Sequence, residues 1–569
     1  MIHNFLIFSF YYLLILVSVL GYGLFFLKLL NININNNNFG YVGLFGVYVL
    51  IIYSYISNIV IAHSELHNLL ILFLGITAFI LIITKNFLIY KKESILTFIV
   101  FILLFCSLFQ FKNHDDFTYY HFPYTYYLTQ QSLYIGVGQF NHGFRTPSSI
   151  FYINSLFYLP FAKFYLLNFF SVLILGFANI VLLKKIHSYF ISFTFKKEKI
   201  NFTNFLSLLS FTFLNIFFYR ISEYGTDRAA MILVILLIIE LLNFTYITKI
   251  KKIDLFYVYM LGAIIISLKA FYILYLVFII PLFIHILKQN QNYLETIKIL
   301  FLNKYFILFL TLLFFVLFTY FINTGCIIYP LYFTCFESIS WGIPLLEVNQ
   351  MNNWYELWSK GGAAPNFRIE NPEEYIKNFN WVNNWINNYF LNKVSDFIFG
   401  LILLVGIVSL FFREAFFSKK KIEINQNTYL VYIIILILGF EWFYNHPALR
   451  YGGYSLIAGL IFLPISIIIM KRINLRDKDL KKKFYILLLI GCFIFIGRNI
   501  DRIRKEQNFY AYKPLKETFY ELNDRHFLIQ KSFDRILQNY HLCIIKNAEC
   551  SKKLHGVIFS YGKYIFVNK

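Results

Sequence analysis

The sequence predicts an all-α, polytopic membrane protein, and two observations support this prediction. Hydrophobic residues make up 59% of the 569 residues and charged residues only 14%, whereas about a quarter of a soluble protein is charged. The apolar residues also gather into blocks of about 17 to 25 positions, such as Phe5 to Leu27 and Tyr305 to Phe321. A helix of that length crosses a ~30 Å hydrocarbon core.

The hydrophobic blocks predict about 14 membrane-spanning helices. They are expected near residues 4–29, 41–62, 67–84, 93–110, 163–183, 204–219, 229–248, 254–268, 270–287, 305–323, 394–412, 428–443, 451–470 and 484–499. The first block is not a cleavable signal peptide, because it has no basic n-region and no small-residue cleavage site.

Lys and Arg clusters between these blocks predict which connections face the cytoplasm. They lie at 85–92, 184–199, 249–252, 288–304, 413–421 and 471–483. The alternating connections, which include 111–148, 220–228, 324–392 and 444–450, are then expected outside, together with everything beyond about residue 500.

Three regions follow from this layout. Residues 1–92 form an N-terminal transmembrane module, residues 93–500 a transmembrane core with outer loops 111–162 and 324–392, and residues 501–569 a small soluble α+β appendage outside the membrane. Within the first loop, the aromatic stretch from Ser149 to Phe161 is too short to span and predicts a helix lying in the membrane interface. The second loop is rich in tryptophan, which predicts contact with the headgroup layer.

The net charge of +22 does not predict nucleic-acid binding, because the basic residues form short clusters between hydrophobic blocks instead of one continuous surface. The cysteines give a further indication of the compartment. Cys326 and Cys335 share one outer loop and Cys543 and Cys550 share the tail, which predicts two disulfides in an oxidising environment. Chance spacing is the alternative.

Asp115 and Asp116, which directly follow the fourth block, are the strongest candidates for catalysis. Neighbouring carboxylates repel each other and are best tolerated where a cation, a metal or a reacting hydroxyl shares their charge. One of them could act as a general base while the other binds a metal or orients the first. The alternative is that either residue simply caps the following turn.

Further charged residues are expected on the same outer face. Asp227 and Arg228 lie in a short outer turn, where capping and snorkelling are the alternative roles. Lys269 interrupts an apolar run, which is costly unless the lysine meets an anion such as a lipid phosphate. Arg450, beside Tyr451, closes one block and could hold a phosphate with two hydrogen bonds.

Other polar residues are weaker candidates. Arg145 and His142 belong to the first outer loop, and Glu240 and Glu441 lie within apolar blocks, where they could be buried functional acids. The sequence contains no Walker loop, no Rossmann glycine motif, no zinc-spaced Cys/His set and no nucleophile elbow.

These residues resemble, by their layout, the GT-C superfamily of membrane glycosyltransferases, which includes protein mannosyltransferases and the lipid A aminoarabinose transferase. The Asp115–Asp116 pair with the run Tyr119-Tyr120-His121-Phe122-Pro123 looks like the family's acidic outer-loop motif. Asp227 is similar to a further acid in the next outer turn, and Asn323 to Pro330 looks like an element that leads into a late outer loop. Arg450–Tyr451 is similar to a closing arginine. The resemblance covers residues 93–470, and the three blocks before it are a departure from the family.

The resemblance implies a GT-C-like core and an inverting transfer of a sugar from a polyprenyl-phosphate donor to a lipid or glycan acceptor, at the outer face of the bacterial cytoplasmic membrane. Asp115 or Asp116 would be the base. The implied substrate-binding residues are Tyr120, His121, Arg145, Asp227, Arg228, Lys269, Arg450 and Tyr451. A divalent metal, Mg²⁺ or Mn²⁺, is compatible with ligands from Asp115, Asp116 and Asp227 but is not required.

Two other classes fit the same composition. A flippase for lipid-linked sugars would also need many helices and basic residues, but its ligand residues should lie near the midplane of the bilayer. An O-antigen polymerase or ligase would rely on arginines more than on an acidic pair. The candidate residues gather at the outer boundary, which favours the glycosyltransferase.

Overall fold

A computed structural model describes residues 2–32, 38–195, 202–247, 252–363, 369–416, 424–470, 478–516, 520, 522–545, 556–560 and 562–567 of the chain. The protein is 78% helical, and the strands among the described residues form one two-stranded sheet near the C-terminus. The predicted all-α class is therefore confirmed.

The α-helices, numbered in chain order, are α1 Ile2–Leu29, α2 Phe39–Val60, α3 Glu65–Lys85, α4 Phe87–Phe105, α5 His121–Gln130, α6 Val137–Phe140, α7 Ser149–Ser155, α8 Phe169–Phe195, α9 Thr203–Phe217, α10 Asp227–Phe244, α11 Phe256–Leu268, α12 Ile279–Asn290, α13 Tyr293–Phe301, α14 Lys304–Thr324, α15 Leu345–Lys360, α16 Pro372–Ile376, α17 Val382–Trp385, α18 Ser395–Phe411, α19 Arg413–Phe416, α20 Gln426–Asn445, α21 Gly453–Met470, α22 Lys478–Tyr510 and α23 Leu528–Ile545. Shorter 3-10 segments are Cys106–Leu108, Asp115–Phe117, His142–Arg145, Phe164–Leu166, Lys252–Leu255, Ala270–Phe278, Tyr332–Thr334, Leu449–Tyr451 and Asp524–Phe527, and Ile386–Val394 is a π-helix.

Among the described residues, 10 helices are long and apolar enough to cross a membrane, so the protein is a multi-pass membrane protein. Helical structure is present in each of the predicted spanning segments, but α4, α9, α10 and α11 are not among the 10. Helices α9 and α11 have 15 and 13 residues, while α4 and α10 carry three charged residues each. The count of 14 spans stays a prediction.

The N-terminal helices pack against one another and against the core. Glycines allow close approach: a Cβ on Gly21 would lie 1.9 Å from the carbonyl oxygen of Gly75, a contact that only a bare backbone permits. Two tyrosine hydroxyls connect these helices to later ones. Tyr12 donates to the carbonyl of Phe101, at 2.8 Å, and Tyr48 donates to that of Leu308, at 2.5 Å.

Residues 111–162 are largely buried in the protein, which corrects one expectation. The stretch from Ser149 was expected to form a helix lying in the membrane interface, but α7 has seven residues and all of them are buried. Its aromatic side chains find partners in the protein instead of the headgroups: the ring of Tyr152 lies 4.1 Å from that of Tyr55, and that of Phe151 lies 5.1 Å from that of Tyr124.

A disulfide between Cys326 and Cys335 closes a hairpin directly after α14, as the sequence predicts. The hairpin contains the cis peptide bond Tyr329–Pro330. Tyr329 is buried, whereas Tyr332 and Phe333 are 60% and 73% exposed. The predicted Cys543–Cys550 disulfide lies outside the described residues, as do parts of several basic connections.

The C-terminal region is α+β, as predicted, but it is not detached from the core. Helix α22 continues without a break through residue 500. Strands β1, Val557–Ser560, and β2, Lys563–Phe566, pair antiparallel with Val557 opposite Phe566. Ile565 also forms a parallel bridge with Ile135, so the sheet packs on the 111–162 segment.

Candidate functional site

Four charged residues from distant parts of the chain meet at the ends of helices. Asp116 lies in the 3-10 turn Asp115–Phe117, Asp227 begins α10, Lys269 follows the last residue of α11, and Arg450 lies in the 3-10 turn between α20 and α21. We name these four residues the charged cluster. Asp227 and Lys269 lie at the ends of α10 and α11, and Asp116 and Arg450 lie in short 3-10 turns, so none of the four is in the middle of an apolar helix.

Arg450 connects the two carboxylates of the charged cluster. Its Nη2 donates to Oδ2 of Asp116 at 3.1 Å, and its Nε donates to Oδ2 of Asp227 at 3.0 Å. Lys269 donates to the other oxygen, Oδ1, of Asp227. The side chain of Asp227 is only 10% exposed. These two cations balance its charge, and the hydroxyl of Thr226 also donates to Oδ1 at 3.2 Å.

Aromatic rings hold the two cations in place. The guanidinium of Arg450 lies 5.2 Å from the ring centre of Trp358 and 5.5 Å from that of Tyr451. The ammonium of Lys269 lies 4.5 Å from the ring centre of Tyr451. Such cation–π contacts stabilise a partly desolvated cation. Tyr451, predicted as a binding residue, therefore contacts both cations.

The turn that carries Arg450 is fixed by hydrogen bonds from its backbone. The amide of Ala448 donates to the hydroxyl of Ser359 at 3.1 Å, and the amide of Leu449 donates to the hydroxyl of Tyr389 at 2.9 Å. Since these two acceptors lie in the 324–392 segment, that segment positions the arginine.

Asp116 is ionised at neutral pH. Burial by itself raises the pKa of its carboxyl, but the guanidinium of Arg450 is the largest of several groups that together bring the pKa below its ordinary value. The carboxyl remains 31% exposed. An ionised and accessible carboxylate can accept a proton, as a general base must.

Two histidines lie beside Asp116. The backbone amide of Asp116 donates to Nδ1 of His114 at 3.1 Å, so this nitrogen carries no proton. Burial, followed by the charge of Arg450, lowers the pKa of His114. Burial also lowers the pKa of His121 to about 3, and its Nδ1 lies 3.0 Å from the carbonyl of Tyr224. Both rings are therefore neutral, and Nε2 of His121 is an acceptor.

Tyr120, another predicted binding residue, belongs to the same site. It is the N-cap of α5, directly before His121. Its phenol is close enough to Asp116, Arg450 and Asp227 to interact with them electrostatically. Tyr120 is partly buried and lies beside the charged cluster.

Three predicted residues do not join the charged cluster. Asp115 points into solvent, with 91% of its side chain exposed, and its nearest cation is Lys112 at 3.7 Å. Arg228 pairs with Glu223 at 2.9 Å. Arg145 donates to Glu347 at 2.7 Å.

The two acids predicted within apolar blocks also lie apart from the charged cluster. Glu240 pairs with Lys185 at 2.7 Å and accepts a hydrogen bond from Tyr41. Glu441 accepts a hydrogen bond from Asn445 at 3.1 Å.

Two residues of the site were missed. His114 stands next to the acidic pair in the sequence and could have been found from that position. Trp358 could not have been found. The segment 324–392 contains five tryptophans, and nothing in the sequence distinguishes the one that contacts Arg450.

A family model described as "Domain of unknown function (DUF8201)" matches residues 5–457. The chain belongs to this family. The matched residues include all four members of the charged cluster, so the site lies in the region that defines the family. Neither the curated proteins nor the solved structures include a match to the chain.

The three acids considered as metal ligands from the sequence do not form a single ligand set in the structure. In the part of the chain that the structure describes, no group of three or more His, Cys, Asp or Glu side chains is placed to hold a metal ion. Asp115 points away from the other two candidate ligands, and Asp116 and Asp227 are both bound by Arg450. The arrangement instead offers one accessible carboxylate beside two cations, which can accept a proton and hold an anion.

Proposed function

We propose that the protein transfers a sugar from a polyprenyl-phosphate donor to a hydroxyl of a lipid or glycan acceptor, at the outer face of the bacterial cytoplasmic membrane. The observation that carries the proposal is the contact of Arg450 with both Asp116 and Asp227, three residues that are separated by more than a hundred positions but meet at one end of the helices. This contact supports the proposal, because it sets a carboxylate that can accept a proton beside a cation that can bind phosphate.

The proposed reaction needs one group at each side of the sugar. The acceptor oxygen attacks the anomeric carbon, the bond from that carbon to the phosphate oxygen breaks, and the acceptor proton passes to Asp116. Polyprenyl phosphate leaves with the bonding electrons, and Arg450 and Lys269 stabilise its negative charge. Attack opposite to the leaving phosphate inverts the anomeric centre. No step requires a metal.

The proposal includes the finer topology. It assumes 14 spans, a GT-C-like core over residues 93–500, and the charged cluster on the extracytoplasmic side, where the polyprenyl chain can lie in lipid between helices. The many exposed apolar side chains on the helices, such as Phe314 at 61% and Leu410 at 77%, support this position in the bilayer. Other expected partners are membrane lipids.

Transfer in proteoliposomes tests the proposal. Purified protein is reconstituted with a radiolabelled polyprenyl-phosphate sugar and a lipid extract as acceptor, and the appearance of a new glycosidic bond is measured. We expect Asp116→Asn to lower the rate about 100-fold or more, while Asp115→Asn, the matched control, leaves it unchanged. A fully active Asp116→Asn protein would remove the base from the proposal. Movement of label across the bilayer without a new bond would support a flippase.

The pH dependence of the rate gives a second test of the base. Asp116 must be ionised to accept a proton, and its pKa is held below the ordinary value of about 4. Since kcat/KM reports the ionisation of the free protein, kcat/KM should be constant through neutral pH and fall only as the pH drops through that pKa. Removing the guanidinium with Arg450→Ala raises the pKa of Asp116 in the free protein, so the residual kcat/KM should fall at a higher pH.

A further inference from the structure

Three arginines lie beside the charged cluster, at the same end of the helices. Arg220 is in the turn between α9 and α10, Arg228 is the second residue of α10, and Arg498 is in the last third of α22. We name these three residues the arginine group. Arg228 directly follows Asp227, a member of the charged cluster, so the two groups of charges are adjacent but have separate partners.

Two members of the arginine group share one carboxylate. Arg220 pairs with Oε1 of Glu223, and Nη2 of Arg228 donates to Oε2 of Glu223 at 2.9 Å. The side chain of Glu223 is 7% exposed, whereas those of Arg220 and Arg228 are 37% and 31% exposed. The carboxylate therefore lies behind two guanidinium groups that reach the surface, and it balances the charge of only one of them.

Arg498 joins the group from α22. Its guanidinium lies 3.9 Å from the ring centre of Tyr219, and its Nη1 donates to the carbonyl of Ile216, in the last turn of α9, at 2.9 Å. The phenol of Tyr454 is close enough to both Arg228 and Arg498 to interact with them electrostatically. Arg498 is exposed, and this hydrogen bond uses one of the five N–H donors of its guanidinium.

The arginine group carries an excess of positive charge. Its three guanidinium groups contain one carboxylate between them, that of Glu223. Two further acids on α22 are paired with other cations: Glu506 with Arg502 at 3.3 Å and Asp501 with Lys505 at 2.8 Å. Basic residues are normally scarce on the outer side of a membrane protein, where this end of the helices is expected to lie. An excess of two positive charges there favours an anionic partner.

The surface next to the arginine group is apolar and faces lipid. Leu489, Phe493 and Ile500 are exposed on α22, with Phe493 at 69%. Their spacing of four and seven residues places them on one face of the helix. Arg498 lies within the length of this stripe, so a molecule that contacts both needs an anionic head and an apolar chain. A free phosphate would use the arginines alone.

We propose that the arginine group binds the phosphate of an anionic phospholipid from the surrounding leaflet, with an acyl chain lying along the stripe on α22. Arginine suits this role because its planar guanidinium donates two parallel hydrogen bonds to phosphate oxygens. Helix α22 is mostly open to lipid, since only 28% of its apolar window is buried, so bilayer lipids have direct access. The inference does not depend on the proposed sugar transfer.

Local quenching of tryptophan fluorescence tests the lipid site. Phe493→Trp places an indole on the stripe, about 7.5 Å along the helix from Arg498, and subtracting the signal of the protein without this substitution removes the native tryptophans. The protein is reconstituted in phosphatidylcholine vesicles that contain a small fraction of acyl-brominated phosphatidylglycerol or, in a parallel sample, of acyl-brominated phosphatidylcholine. We expect the anionic lipid to be preferred about tenfold beside the introduced tryptophan.

Two controls show whether the preference is local. Phe73→Trp, on the lipid-facing helix α3, should report no preference between the brominated lipids. Lys482→Gln removes an exposed charge at the opposite end of α22 and should leave the preference at the tryptophan introduced by Phe493→Trp unchanged. Raising the salt concentration should weaken the preference, because ions screen exposed charges.

Substitutions in the arginine group then identify the binding residues. Arg228→Gln/Arg498→Gln, which removes the two excess charges, should abolish the preference for phosphatidylglycerol without changing quenching by brominated phosphatidylcholine. Arg498→Lys keeps the charge and should keep part of the preference. If the double variant does not fold, Arg220→Gln takes its place, because Glu223 then remains paired with Arg228; it should lower the preference severalfold.

A stability measurement separates lipid binding from a structural role. Phosphatidylglycerol added in detergent should raise the thermal midpoint of the unaltered protein, as a ligand of the folded state does, but not that of the double variant. A lower midpoint in the double variant with an unchanged lipid preference would show that the arginines only hold the turn 220–228, and would overturn the site.

Three other results would also overturn the proposal. Equal quenching by the two brominated lipids in the unaltered protein would show that no anionic lipid is selected. An equal preference at the Phe73→Trp control would assign the effect to the overall charge of the protein. Unbrominated farnesyl phosphate should displace brominated phosphatidylglycerol no better than unbrominated phosphatidylglycerol does; much stronger displacement would assign the arginine group to an isoprenoid phosphate instead of a bilayer lipid.

Discussion

The ion pair between Asp227 and Lys269 allows a test of the site that needs no knowledge of the substrate. The change is Asp227→Asn, which keeps the shape of the side chain and removes its charge. In the protein, this carboxylate is bound by Lys269 on one oxygen and by Arg450 on the other. After the substitution, Lys269 has lost its only carboxylate in the charged cluster, while Arg450 keeps Asp116.

The expected cost follows from the burial of the three groups. Breaking a buried ion pair by neutralising one partner costs about 3–5 kcal/mol. Lys269 and Arg450 are 22% and 24% exposed, so water can partly replace the lost carboxylate and the cost should be at the lower end. We expect Asp227→Asn to lower the free energy of unfolding by about 3 kcal/mol, a factor of about 100 in the unfolding equilibrium.

A double-mutant cycle shows whether the pair causes the loss. Lys269→Met alone leaves the Asp227 charge with one cation fewer, but in the double variant neither charge remains buried. The sum of the losses in the free energy of unfolding of the two single variants should therefore exceed the loss in the double variant by about 1–3 kcal/mol. Denaturant unfolding in mixed micelles, followed by tryptophan fluorescence, gives these values. The exposed Asp115→Asn is the control and should unfold like the unaltered protein. Additive losses, or an unchanged Asp227→Asn midpoint, would refute the reasoning.

Three further predictions concern other parts of the molecule. Lys184→Ala leaves the carboxylate of Glu93, which is 2% exposed, without its cation, so it should lower the thermal midpoint, and adding Glu93→Gln should restore part of the loss. The Cys326–Cys335 disulfide should prevent alkylation of both thiols until a reductant is added, as mass spectrometry of the peptides would show; labelling before reduction would contradict it. The hairpin is expected to contact the headgroup layer, so brominated lipids should quench the fluorescence of a tryptophan introduced by Phe333→Trp. Phe509 is similarly exposed but lies at the polar end of α22, and a tryptophan introduced by Phe509→Trp should not be quenched.

The helical fold could be predicted because a long apolar run has only one common solution in a bilayer: a helix satisfies every backbone group within the segment. This argument fails where a segment is short or carries charges. Helix α11 is short and α10 carries charges, so both were predicted as spans but neither has the length and composition of a membrane-spanning helix. The apolar pattern also does not predict which elements of the fold pack against one another. The aromatic stretch that forms α7 fits a membrane interface and a buried aromatic cluster equally well, and only the tertiary structure decides between them.

The site could be predicted in part, for a similar reason. The sequence predicts that Asp227, Lys269 and Arg450 lie at the ends of spanning helices on one face, and residues so placed are limited to a thin layer. They therefore had few other places to meet. The sequence does not indicate which of Asp115 and Asp116 contacts Arg450. In the 3-10 turn that they share, consecutive side chains point about 120° apart, and one faces Arg450 while the other faces solvent. Arg145 could not be placed either, because its partner Glu347 is 202 residues away.

The charge balance of the cluster limits how it could work. Two carboxylates face two cations, so the four groups together carry no net charge with which to attract a phosphate. Arg450 gives two of its five N–H donors to these carboxylates, so an incoming anion can bind the remaining donors or take one of the two in exchange. Asp227 is 10% exposed and is also held by Lys269, whereas Asp116 is 31% exposed and has no second ion-pair partner as strong. Such an exchange should therefore release Asp116, and the carboxylate becomes a stronger base when the donor is bound in this way, because the guanidinium no longer lowers its pKa.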